Sequence, residues 1–139
     1  MRNVFLDTNI VIDLLSERAP FYKDAAKIFS LADNQAIKLY CSALSIANIY
    51  YIIFRNKSNE HANNALDELL EFLTILPLNE KNIRYSLANS TFSDFEDALQ
   101  YSTASENRMD IIVTRNTTDF KAVNIPVITS NEFVEYFEN

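Results

Sequence analysis

Glycine is absent from all 139 residues, and histidine and cysteine occur once each. No apolar run approaches the length that spans a bilayer. Each absence removes a class of chemistry. Without glycine the chain cannot build the glycine-rich phosphate loops of dinucleotide or P-loop sites, where the backbone must come close to the ligand. One cysteine, Cys41, excludes an internal disulfide, and a thiol nucleophile would have to use His61. His61 lies in the polar run Ser58-Asn59-Glu60-His61-Ala62-Asn63-Asn64 and reads as a solvated surface residue. Met1-Arg2-Asn3 leads directly into an apolar strand instead of a signal-peptide segment, so the expected location is cytoplasmic. Positive charge is also scarce. Twelve Lys and Arg face 19 Asp and Glu, a net charge of −7, which argues against broad, nonspecific attraction to nucleic acid. A metal-assisted site stays open, because clustered carboxylates add negative charge that a bound cation reverses locally. Excess acid also suits a protein held against a basic partner segment.

What is present is a regular alternation. Apolar Val4-Phe5-Leu6 stops at Asp7-Thr8-Asn9, and Ile10, Val11, Leu14 and Leu15 resume at helical spacing. That pattern is strand, polar corner, helix, with a strand over 3–6 and a helix over 9–15. A second helix is expected from Pro20, with Ala25, Ala26, Phe29 and Leu31 facing inward. A strand over 36–41 follows, Ser42 caps a helix over 43–54, and Ala62, Ala65, Leu66, Leu69 and Leu70 mark another. Further strands are expected at 73–76, 110–113 and 126–128. Helices start at Asn79 or Glu80, at a Ser93–Glu96 capping box and at a Thr129–Glu132 capping box. With 48% hydrophobic residues, the chain has material for one core. The expectation is a single domain over 1–139, of α/β class with about five mainly parallel strands between helices. The helix over 43–54 is apolar on nearly every face, which predicts sharing with a second copy or a partner helix.

Four acids compete for chemistry. In a parallel sheet Asp7 and Asp119, following the first and fourth strands, reach the same carboxyl edge. Asp94 and Asp97, three apart at a helix start, share a face. Taken singly, each also has a plain structural use, as a helix cap, a dipole partner or a turn residue. Together they offer hard oxygen ligands for Mg²⁺ or Mn²⁺. Such a site activates water against a phosphodiester, with metals about 3.5 to 4 Å apart where two are bound.

Asp7-Thr8-Asn9, Asp97-Ala98-Leu99 and Val113-Thr114-Arg115-Asn116 with Asp119-Phe120 together resemble the PIN domain (PilT N-terminal domain) family. Within it, the chain is similar to the small nucleases of the VapC toxin type. The resemblance implies a three-layer fold and a Mg²⁺- or Mn²⁺-dependent endoribonuclease. It implies an RNA substrate, a homodimer and, for many members, a small antitoxin partner. Carried over, Asp7, Asp97 and Asp119 are the catalytic, metal-binding acids, and Asp94 shares or takes the ligand role. Thr8 and Thr114 position water or a phosphate oxygen, and Asn116 is a neutral contact. Arg115 pairs either with a substrate phosphate or with the carboxylates. One departure stands out. Asn48 occupies the position where the family carries a glutamate, and an amide brings no charge and no base. Metal affinity should fall, a second metal becomes doubtful, and a weakened RNA- or protein-binding module is the alternative function.

Overall fold

The computed structural model describes residues 1–139 except Ser90, Ser93, Lys121, Ala122 and Asn139. Five parallel strands run in the order β3-β2-β1-β4-β5. They are β1 (Arg2–Leu6), β2 (Ile37–Ser42), β3 (Leu73–Leu76), β4 (Ile111–Val113) and β5 (Val127–Ile128). The helices are α1 (Thr8–Leu15), α2 (Tyr22–Asp33), α3 (Ala43–Asn56), α4 (Asn59–Leu69), α5 (Glu80–Ala88), α6 (Phe95–Glu106) and α7 (Ser130–Glu138), with a 3₁₀ turn at Thr117–Asp119.

Strand side chains alternate between two cores, which is why Val4-Phe5-Leu6 and Ile111-Ile112-Val113 are apolar at every position, whereas β2 alternates and exposes Lys38. Val4, Leu6, Leu39, Ile111 and Val113 face one layer of helices, meeting Ile10, Val11, Ile28, Phe29, Ile49 and Phe133. Phe5 and Ile112 face the other side, meeting Ala98, Tyr101 and Ala104 of α6. The result is a three-layer α/β fold.

Local signals hold at most element starts. Ser42 caps α3 through the Ser45 N–H at 3.1 Å, Asn79 and Asn82 form a reciprocal box, and Thr129 and Glu132 do the same. Boundaries move where tertiary contacts outweigh local preference. The second helix starts at Tyr22, two residues after Pro20, on Phe21, which makes no side-chain cap. α3 continues to Asn56, whose amide donates to the Ile52 carbonyl at 2.9 Å. β4 begins one residue late, and Asp110 instead accepts the Asn3 N–H at 2.7 Å. On α3, Ile49 is buried, whereas Tyr51 and Phe54 remain 58% and 43% exposed. His61 is exposed, as its polar run predicts. Among the described residues no helix is long and apolar enough to cross a membrane.

Candidate active site

The chain leaves β1 outward to β2 and β3, then returns to β4 and β5 on the other side of β1. At such a reversal the connecting segments part and leave a crevice at the carboxyl ends of the strands. Asp7 stands there, 6% exposed. Its Oδ1 accepts the Thr8 backbone N–H at 2.8 Å, so it does cap α1. The carboxylate is also held from two other elements. The Thr114 hydroxyl at the end of β4 donates to Oδ2 at 2.8 Å, and the Gln100 amide of α6 donates to Oδ1 at 3.1 Å. Burial raises the Asp7 pKa, while bonds from Thr114, the Thr8 backbone and Gln100 oppose the rise.

α6 brings in the next acids. Its cap is Asp94, which accepts the backbone N–H groups of Glu96 at 2.7 Å and Asp97 at 3.3 Å. The capping serine expected at position 93 lies outside the described residues, and Asp94 supplies the capping bonds. Asp94 and Asp97 line one open cleft with Asp7, with Asp119 of the 3₁₀ turn and with Asn116, a space of about 280 Å³. Three separated segments therefore deliver four aspartates to one place. Burial first, and then the charges of Asp7, Asp94, Asp119 and Glu96, push the Asp97 carboxyl up to about 7. An acid there can take or release a proton at neutral pH.

The other site candidates divide. Thr8 lines the cleft, and its hydroxyl lies 2.7 Å from that of Ser45 while accepting from the Gln100 amide at 3.2 Å. Thr114 is fully buried and its hydroxyl proton goes to Asp7, so it orients the carboxylate instead of reaching water or a phosphate. Asn116 faces the cleft, with its backbone N–H on the Thr114 hydroxyl at 3.0 Å. Asn48 stands behind the cleft wall and donates its amide to Glu96 at 2.8 Å. Glu96 does line the cleft, and its carboxyl is raised by burial, Asp94 and Asp7, with the Asn48 amide opposing. Arg115 leaves the acids altogether. Its Nε sits 3.1 Å from Oδ2 of buried Asp13, off hydrogen-bond direction, and its guanidinium lies 4.5 Å from the Phe21 ring centre. The pairing is structural, with a carboxylate that the sequence patterns did not single out.

Gln100 was not foreseen. It is 1% exposed and ties Asp7 to β2: it accepts from Ser42 at 2.6 Å and donates to Ser45 at 2.8 Å. The available signal was an amide one helical turn after Asp97, flanked by Leu99 and Tyr101.

Among the described residues no three acids converge tightly enough to form a ready-made cage. The donor set nevertheless fits a hydrated hard cation. Mg²⁺ keeps several waters and commonly takes only one or two carboxylates directly, and the acid repulsion that adds to burial in raising Asp97 is what a cation relieves.

A model of the PIN domain family matches residues 3–118. Ribonuclease VapC1 of Aquifex aeolicus is 28% identical over 136 residues, covering 95% of this chain and 93% of that protein. The solved structure of VapBC2 from Rickettsia felis bound to a DNA fragment from their promoter is similar with a TM-score of 0.69 at 22% identity, over 91% of this chain and 98% of that one. A toxin-antitoxin complex from Klebsiella pneumoniae gives a TM-score of 0.69 at 22% identity, over 91% and 97%. At that identity the two structures speak for the fold.

Proposed function

Since the chain belongs to the PIN domain family, we propose that it is a divalent-metal-dependent endoribonuclease, the cytoplasmic toxin of a toxin-antitoxin pair. One observation carries the reading: Asp7, Asp94, Asp97 and Asp119, from three separated segments, share a single cleft at the carboxyl ends of the strands. The ribonuclease relative and the neighbouring toxin-antitoxin complexes support it.

Asp7, Asp97, Asp119 and Asp94 would hold Mg²⁺ or Mn²⁺, which supplies charge neutralisation at the phosphodiester and lowers the pKa of water. The rest falls to the chain. Thr114, Gln100 and the Thr8 N–H fix the Asp7 carboxylate in one orientation. Asp97 or Asp119, both at the cleft wall, would assist in taking the proton released by the attacking water. Asn116 offers a neutral amide at the cleft wall. Asn48 anchors Glu96, so the charge that the family carries on α3 arrives here from α6. One domain over 1–139 is sufficient for this site, and exposed Tyr51 and Phe54 on α3 suit a homodimer or a small antitoxin.

The second reading, a binding module with weakened catalysis, is favoured by Asn48 and by the open spacing of the acids. A fluorescent single-stranded RNA separates the two. Cutting is expected with Mn²⁺, is abolished by EDTA, and falls by about 10²-fold or more in a folded Asp7→Asn protein. Binding without cutting under all metal conditions would favour the module.

A further inference from the structure

We propose that a second pocket, next to the acid cleft, receives a guanine base of the RNA; the inference rests on the ribonuclease reading and supplies its base preference. The pocket has a volume of about 400 Å³ and lies where the starts of α2 and α7 meet the corner after β4. Phe21 and Arg115 form part of its wall. The guanidinium is held against the Phe21 ring at 4.5 Å, while its Nε faces Asp13 at 3.1 Å. A flat cation pinned on an aromatic ring is the kind of surface on which unpaired RNA bases stack.

The polar groups fit a base edge better than a phosphate. Asp24 lines the pocket and has no hydrogen-bond or ion-pair partner among the described residues. A carboxylate repels phosphate and accepts only. Guanine presents a ring N–H beside an exocyclic amine, two adjacent donors that match the two carboxylate oxygens; adenine, cytosine and uracil do not. Ser130 lines the same pocket, is 6% exposed, and its hydroxyl has no partner among the described residues. A buried hydroxyl of this kind calls for a partner that the described residues do not provide. Asn131 adds an amide. Asn116 is the link, because it lines this pocket and the acid cleft alike. A base seated here therefore belongs to a nucleotide neighbouring the one being cut, which favours RNA over a free nucleotide as the source.

The test combines binding with cleavage on the intact protein. In ¹⁵N spectra recorded without metal, GMP should shift the signals of Ser130, Asn131 and the Arg115 side chain, and AMP, CMP and UMP should do so far less. RNA octamers with one guanine, cut in Mn²⁺, should be preferred over their adenine counterparts. Asp24→Asn and Asn131→Ala, both changes near the surface, should reduce that preference by about tenfold. Cleavage with no guanine preference, together with no GMP shifts, overturns the pocket and leaves the nuclease reading intact. GMP shifts without cleavage of any RNA keep the pocket and remove the nuclease. GMP binding that guanine-containing octamers fail to displace overturns RNA as the source in favour of a free nucleotide.

Discussion

Gln100 shows how much one buried side chain can govern. Its amide bridges Asp7, Thr8 and Ser45, and its oxygen takes the Ser42 hydroxyl. Shortening it would take one hydrogen bond from each of Asp7, Thr8, Ser45 and Ser42, all of which keep another partner, and the bond to the Asp7 carboxylate alone is worth about 1.5–3 kcal/mol. Gln100→Ala should therefore lose about that much stability by urea denaturation. An unchanged midpoint would mean that water substitutes for the amide. Arg115 makes the complementary case. Its sequence position, inside a corner shared with a nuclease family, invites a role among the acids of the cleft, yet Asp13 and Phe21 hold it in the wall of the neighbouring pocket. That outcome follows from Asp13, a buried carboxylate that needs a cation within reach.

At the level of elements, a chain without glycine must still end its helices. α1, α2 and α6 each close with a left-handed residue, at Glu17 (φ 48°), Gln35 (φ 62°) and Arg108 (φ 55°). All three closures share a bonding pattern: at α2 the Ala36 N–H reaches Leu31 at 2.9 Å and the Gln35 N–H reaches Ala32 at 3.0 Å. A side chain at positive φ costs roughly 1–2 kcal/mol. Glycine removes that crowding but adds freedom to the unfolded chain worth roughly 0.5–1 kcal/mol. Gln35→Gly, on the exposed end of α2, should thus raise stability by about 0.5 kcal/mol. A lower melting temperature would count against strain at this closure. The helix starts carry the opposite lesson, since Ser42, Asn79 and Thr129 cap as their sequence neighbours predict.

For the whole molecule, the acid cleft sets how stability responds to pH. Asp97 rises from 3.8 to about 7 on folding, so between those values the folded protein binds more protons than the unfolded one. Its contribution is complete below the lower value and is lost as pH climbs through the upper one. Asp7, Asp13 and Glu96 shift in the same sense. Without metal, the melting temperature should fall from pH 5 to pH 8, and Asp97→Asn should flatten the slope. Mn²⁺ favours the ionised forms, so its stabilisation should be larger at pH 8 than at pH 5. A metal-free melting temperature that climbs over this range would contradict the crowding of acids described here.

The order of strands and helices was legible in the chain because its signals are short-ranged: apolar runs where both faces of a strand are covered, and caps acting over three residues. So was the arrival of Asp7 and Asp119 at one edge, since parallel strands all point their ends the same way. What needed the tertiary structure was the choice of partners across the layers. Gln100 meets Asp7 across 93 positions of sequence, Asn48 turns to Glu96, and Arg115 turns to Asp13. No local pattern encodes such contacts. They are selected when the helices settle on the sheet and each buried polar group takes the partner that packing leaves within reach.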